Sequence, residues 1–306
     1  MTLLLSRSTV EAAVEIDEAL ELLARGFCDT TGQPRPQRIR TDLPGPGTAT
    51  CLIPGLLPEI PAYTVKVNAK FPASSPALRG VVCLHDINTG ELLALADSAS
   101  VTAWRTGLSA ALATHVLADP TARTLGFVGA GAQARVVAAG LRTLRSFDHT
   151  VATDLSPSRA ADLADVVVDD ARAVAARCDI VVLATWSRVP LLQAEDIRAG
   201  THLTTLGADE PGKIELAADV LQRSRVVVDD LELVTATGAL GNAGLDATAA
   251  DGTLTDVLRG VLPPRDQSHR TSVYAPIGLP WQDLAILWPV YLYARHARLP
   301  EINLLA

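Results

Sequence analysis

The sequence predicts an α/β protein: a doubly wound parallel sheet, preceded by a largely antiparallel first third. Three observations carry this. From about residue 124 to 230, short apolar runs alternate with helical stretches. A glycine turn, Gly129-Ala130-Gly131, lies between one such run and a helix. Before residue 100, apolar runs follow one another without helices between them, which suits hairpins.

Composition narrows the class. Hydrophobic residues make up 48% and charged residues 20%, which excludes a disordered chain. Aromatics are only 4%, so Ala, Val and Leu must build the core. The 306 residues suffice for two modest domains. A net charge of -8 without a basic run argues against nucleic acid as partner. No stretch approaches the roughly 18 uninterrupted apolar residues of a membrane span, and the apolar start MTLLLSR is too short for a signal-peptide core. The cysteines at 28, 51, 83 and 178 show no CxxC spacing, and no His is placed to complete a zinc pattern. These features give the expectation of a soluble cytoplasmic protein with free thiols and no metal.

The elements follow in order. Residues 8–27 carry helical apolar spacing, with Ser8 or Thr9 as cap. Residues 28–62, rich in Pro, Gly and Thr, read as loops between short strands. Strands are expected at 62–71, 80–87 and 92–98, with the NTG turn at 88–90 joining the last two. TAWRTGLSAALATHVLAD, from Thr102, is an Ala-rich helix. Then strand and helix alternate: a strand before Gly129, strands at 150–154, 166–168, 179–185, 202–207 and 225–230, helices at 157–165 and 170–177. Residues 231–270 read as irregular, and a helix is expected in the tail from about Tyr274.

The glycine turn has the form GxGxxA, from Gly129 through Gly131, Ala132 and Gln133 to Ala134. Gly129 permits the tight turn. Gly131 lets the backbone approach a pyrophosphate, and Ala134 allows close helix–strand packing. The helix N-terminus presents a positive dipole end to phosphates. A following strand ends in Asp154, twenty-five residues after Gly129. A carboxylate there accepts the ribose hydroxyls and repels a 2′-phosphate. Leu155-Ser156-Pro157 follow, so no Arg stands directly after it, and NAD(H) is favoured over NADP(H).

Three blocks now carry a resemblance: TGELLALADSASVTAWRTGLSAALAT, VGAGAQA and LGADEPGKIEL. In order and spacing the chain resembles the ornithine cyclodeaminase/mu-crystallin family from about residue 36 to 295. The resemblance implies a substrate-binding and dimerisation domain from residues 1–110 and 280–306, an α+β unit built from the N-terminal third and the tail. It implies an NAD-binding Rossmann domain over 111–279, and a homodimer. It implies that Arg40 (with Arg38 as the alternative register), Lys66 and Arg105 bind a substrate carboxylate. Three converging cations suit a small carboxylate on physical grounds also, and Arg can clamp one with two parallel bonds. Asp209 aligns with the family's catalytic carboxylate, with Glu210 as a nearby competitor. Lys66 joins Asp209 as catalytic. Thr106, Thr185, Leu206 and Lys213 resemble cofactor contacts.

The chain departs from the pattern in three places. Cys51 stands where cyclodeaminases carry an acid that binds a side-chain amine, which disfavours a terminal ammonium. Pro276 replaces Ser or Thr before Ile277-Gly278, and Gly107 replaces a common Ala. Asp283 matches the family's C-terminal Asp. The expected activity is NAD(H)-dependent hydride transfer at the alpha carbon of a small L-amino acid or its imine. The alternatives are an ornithine- or lysine-type cyclodeaminase with internal NAD+ recycling, and a non-catalytic cofactor-binding protein.

Overall fold

The computed structural model describes residues 1–29, 34–35, 37–45, 47–71, 73–74, 76–265 and 271–304. The chain divides into two compact units, Met1–Thr106 with Leu279–Ala306, and Gly107–Gly278. Among the described residues no helix is long and apolar enough to cross a membrane.

The first unit is a seven-stranded sheet with helices. In chain order it runs β1 (Thr2–Leu5), α1 (Arg7–Ala13), α2 (Ile16–Cys28), β2 (Gln37–Asp42), β3 (Thr48–Gly55), β4 (Ala62–Lys70), β5 (Leu78–Asp86), β6 (Leu92–Asp97) and the start of α3 (Ser98–Leu117). A tail helix, Trp281–Ala294, and a short strand, Glu301–Ile302, complete it. Strands β2 to β6 form an antiparallel meander; β1 joins β6 in parallel, and the terminal strand pairs with β1. The β5–β6 turn forms as its sequence dictates: Asp86 Oδ1 accepts from the amides of Asn88 and Thr89, and Gly90 takes φ +73.

Register sorts the side chains into two faces. One row runs Arg38–Leu52–Lys66–Val82–Ala96, and Leu52, Lys66, Val82 and Ala96 are buried. The opposite face carries the row Ile39–Cys51–Val67–Val81, of which Ile39, Val67 and Val81 are exposed.

The tail helix is packed into the unit. Trp281 meets Phe27 edge-to-face with ring centroids 4.9 Å apart, and it fills the space that a Cβ on Gly26 would need. Trp281 is core, whereas Trp288 and Tyr291 are half-buried. The helix starts at Trp281 rather than near Tyr274. The single expected helix over 8–27 is in fact two. Ser6, not Ser8 or Thr9, accepts the Thr9 amide, and Val14 turns extended before α2 begins.

The second unit is an eight-stranded, all-parallel Rossmann-type sheet. Its strands are β7 (Thr124–Val128), β8 (His149–Thr153), β9 (Val166–Val167), β10 (Ile180–Leu183), β11 (His202–Thr205), β12 (Arg225–Val228), β13 (Gly252–Thr253) and β14 (Ser272–Tyr274). Their order is β13-β12-β14-β11-β10-β7-β8-β9. The chain reverses direction of travel between β7 and β10, and such a switch point opens a crevice at the strands' carboxyl ends. Helices α4 (Ala132–Leu144) and α5 (Pro157–Ala161) follow β7 and β8.

The stretch 231–270 is not irregular. It holds helices Leu231–Thr237, Ala239–Asn242 and Leu254–Leu258 and the strand β13; residues 266–270 lie outside the described residues. Strand β14, unexpected from the sequence, inserts between β11 and β12.

Gly107 has a packing reason. A Cβ there would lie 2.5 Å from Cβ and Cγ1 of Val136 on α4. Gly107→Ala is therefore expected to lower stability by about 1–3 kcal/mol in urea denaturation. An unchanged midpoint in Gly107→Ala would contradict this contact.

Candidate active site

In the first unit the site is built around a buried lysine. Lys66 points from the middle of β4 to the covered face, with its side chain wholly buried. Its ammonium donates to Asp283 Oδ1 at 2.7 Å and to Thr102 Oγ1 at 3.3 Å. Asp283, equally buried in the first turn of the tail helix, also lies 3.5 Å from Arg105 Nε. Arg105 Nη1 donates to Gln282 Oε1 at 3.2 Å, and the same oxygen accepts the Leu279 amide. The -PWQD- turn thus supplies a carboxylate and an amide that aim two cations.

Burial lowers the Lys66 pKa, the Arg105 and Arg38 guanidiniums lower it further, and Asp283 opposes them; the result is about 7. Lys66, Arg105 and Arg38 thus bring positive charge together near the buried Asp283, a grouping suited to an anion.

The register separates the two arginine candidates. Arg38 shares the Lys66 row, two strand spacings away, about 10 Å between backbones. Arg40 lies one row further out, opposite Thr50 and Asn68, and its Nη2 is 2.7 Å from Asp42 Oδ1. The register thus places Arg38, the alternative of the two, nearer to Lys66 than Arg40. Cys51 is corrected. It lies on the opposite face from Lys66, beside Val67, and the residue facing the Lys66 side is Leu52.

The second unit presents the glycine turn at the switch point. Gly129 has φ +89, and a Cβ there would come within 2.6 Å of the Ala184 carbonyl. Around Gly131 nothing lies within 4 Å of a virtual Cβ, and as N-cap of α4 it contributes no side-chain cap. The amides of Ala132 and Gln133 in the first turn therefore have no intrahelical partner. Ala134 is fully buried. Thr106, on α3, has a buried Oγ1 without a hydrogen-bond partner. An open turn and a helix start with free amides fit a dinucleotide's phosphates.

Asp154 is engaged at the end of β8. Its Oδ2 accepts the Ala130 amide at 2.7 Å, and its Oδ1 accepts the Ser156 amide at 2.7 Å. Arg159, five residues on, reaches back to the same Oδ1 at 3.0 Å. Nothing in the residues adjacent to Asp154 signals this pair, because a short helix, Pro157–Ala161, returns Arg159 to it.

Beyond β11 the GADEPGK turn places Asp209 beside Lys213, 3.1 Å from Oδ1 to Nζ. Lys213 also sits 3.7 Å from Glu210 and 4.1 Å from the Trp186 ring centroid. Asp209 is a quarter exposed and Glu210 is buried, so Asp209 is the carboxylate a ligand can reach. Asn242 secures the turn: its Oδ1 accepts from Gly212, and its Nδ2 donates to the carbonyls of Glu210 and Lys213.

Two buried acids not singled out in the sequence hold this edge. Glu215 accepts from the amide and hydroxyl of Thr185, the Thr205 hydroxyl and the Gly207 amide, all at 2.6–2.7 Å. Burial raises its pKa against those donors. The Thr185 hydroxyl is thus committed to Glu215, and Leu206 is a buried core residue, so neither offers a free side-chain polar group. Asp229 accepts from the amides of Ile277 and Gly278, and burial lifts it to about 6. The peptide amides that Asp229 holds lie just after Pro276. His85 and His202 are strand residues, His85 stacked on Tyr63 and His202 bonded to Ser272 and Thr204. Among the described residues no cluster of His, Cys, Asp and Glu could hold a metal.

The model of one family matches residues 2–297, nearly the whole chain. The chain belongs to the ornithine cyclodeaminase/mu-crystallin family. Among curated members, the alanine dehydrogenase of Archaeoglobus fulgidus is 27% identical over 95% of this chain and 94% of its own. The L-lysine cyclodeaminase of Streptomyces rapamycinicus is 32% identical over 72% of this chain and 70% of its own. Among solved members, the Δ1-pyrroline-2-carboxylate reductase of Thermococcus litoralis, in complex with NADH and L-proline, superposes with a TM-score of 0.91 at 25% identity over 99% and 100% of the two chains.

The lysine gives a pH prediction. Its folded pKa of about 7 lies below the ordinary 10.5. Between these values the unfolded chain holds a proton that the folded chain has released. The Lys66 contribution to stability therefore rises as pH climbs from about 7 toward 10. Lys66→Met should flatten this rise in urea denaturation, and Asp283→Asn should cost about 3–5 kcal/mol by stripping two buried cations of their counter-charge. An unchanged pH slope in Lys66→Met would refute the assignment.

Proposed function

We propose that this chain is an NAD(H)-dependent oxidoreductase acting at the alpha carbon of a small L-amino acid or its imine. The observation that carries the reading is the gathering of Lys66, Arg105 and Arg38 near the buried Asp283. Such a cluster takes a compact carboxylate. Arg105 and Arg38 clamp it, and Lys66 donates to it or to the adjoining nitrogen or oxygen. The turn Gly129–Gly131 and the free amides of α4 would hold the dinucleotide, which when bound would supply the hydride chemistry at the alpha carbon. Asp209 takes the proton that leaves the substrate nitrogen, or the proton of a water that attacks the imine, with Lys213 paired to it at 3.1 Å. Lys213 acts here as the Asp209 partner rather than primarily as a nucleotide contact.

Side-chain selection favours a small neutral substrate. Leu52 shares the Lys66 row and the flanking rows carry Thr50, Thr64 and Asn68, none of them an acid. Asp283 is committed to Lys66 and Arg105, and Asp42 lies further out with Arg40. A terminal ammonium would find no free carboxylate on this face, so dehydrogenation or imine reduction of an alanine- or proline-like substrate is preferred to cyclodeamination. The activities of the alanine dehydrogenase and pyrroline-carboxylate reductase relatives support this choice.

Two copies of the chain would pair through the open sheet face. Ile39, Val67 and Val81 expose an apolar row there that a monomer rarely leaves uncovered. An alanine dehydrogenase of the family, 26% identical with a TM-score of 0.91, is described as a dimer with bound NAD. The four cysteines are all free, which suits the cytoplasm.

The test is a panel of L-amino acids with NAD+, followed at the nicotinamide band, with ammonia and cyclic products measured in parallel. A small neutral amino acid should be oxidised, with a keto acid or imine as product. Arg38→Ala should raise KM at least about tenfold, while Arg40→Ala stays within about threefold. Cyclic product from a diamino acid without net NADH formation would contradict the reading, and equal effects of the two Arg variants would contradict the site.

A further inference from the structure

The pair Asp154–Arg159 bears on coenzyme choice, and its meaning rests on the dinucleotide reading above. A carboxylate offers about four acceptor positions. Asp154 fills three of them: the Ala130 amide on Oδ2, and the Ser156 amide and Arg159 on Oδ1. Its side chain is only 8% exposed. A ribose diol donating two hydrogen bonds needs more acceptor capacity and more access than remains. Arg159 would have to swing off Oδ1 before the diol could bind in the usual bidentate way.

Arg159 is free to swing. Its side chain is 54% exposed, and Asp154 is its ion-pair partner among the described residues. Guanidinium carries five donors, of which this contact uses one. While it rests on Asp154, it also neutralises the negative charge that would otherwise repel a 2′-phosphate. The hydroxyls of Ser156 and Ser158, 3.0 Å apart, flank the same edge and can donate to phosphate oxygens.

We infer that Arg159 forms a 2′-phosphate subsite, so that the chain accepts NADP(H) as well as NAD(H). With NADP(H), the guanidinium turns from Asp154 to the phosphate. With NAD(H), it turns out to solvent and Asp154 Oδ1 takes the ribose hydroxyls. One arginine thus replaces a strict carboxylate filter with a two-position selector.

Titration of the purified full chain with NADH and with NADPH, followed by nicotinamide fluorescence, tests this without turnover. The wild-type protein should bind the two with dissociation constants within about a hundredfold of each other. Arg159→Ala should weaken NADPH at least tenfold relative to NADH, while its thermal midpoint stays that of the wild type, since the side chain is exposed. A smaller selective loss, or a wild-type preference for NADH above a hundredfold, overturns the subsite. NADH binding in the same titration keeps the two readings apart: if NADH binds and NADPH does not, only the subsite falls. If neither binds, the dinucleotide reading falls, and the subsite with it.

Discussion

A lysine ammonium buried against a single aspartate is the contact on which the first unit's chemistry depends. Desolvation makes an isolated ammonium untenable at that depth. Asp283 raises the Lys66 pKa against burial, Arg105 and Arg38 lower it, and the balance lies at about 7. An anionic ligand beside it would raise the lysine's proton affinity. Binding of a carboxylate and protonation of Lys66 are thus one coupled event, which is a sound way to hold a substrate and prepare a proton donor together.

The second unit solves a different problem with the same kind of group. Its parallel strands end in loops whose amides need partners, and buried carboxylates provide them. Glu215 ties the β10 loop to the β11 loop, Asp229 ties the β12 end to the loop after β14, and Asp154 ties the β8 end to the glycine turn. Each acid accepts from two or more amides or hydroxyls across neighbouring strands. Asp209, beside Lys213 and a quarter exposed, is the more accessible acid of that edge.

Local patterns were legible in the sequence and long-range ones were not. The glycine turn, the parallel alternation, the β5–β6 hairpin and Lys66 facing inward all follow from spacing within one or two elements. Which arginine meets Lys66 does not. Arg38 and Arg40 have the same parity, and only the pairing of β2 with β3 and β3 with β4 selects the row. Parity also undid the reading of Cys51: it and Leu52 differ by one residue and so face opposite sides of the sheet. Strand β14 has only three residues and borrows its identity from β11 and β12 on either side. Arg159 escaped because a helical turn, not adjacency, returns it to Asp154. The roles of Glu215 and Asp229 depend on loops that meet only in the folded sheet.

The central claim is that Lys66 sits in an anion-seeking pocket poised near neutrality. Selective 13C labelling of lysine, with the Lys66 signal assigned through Lys66→Met, would let NMR follow its titration directly with and without a small carboxylate such as oxalate. The account predicts a titration near pH 7 in the free protein and an upward displacement of at least one unit when the anion binds. A lysine that titrates near its ordinary value of 10.5 and ignores the anion would contradict it.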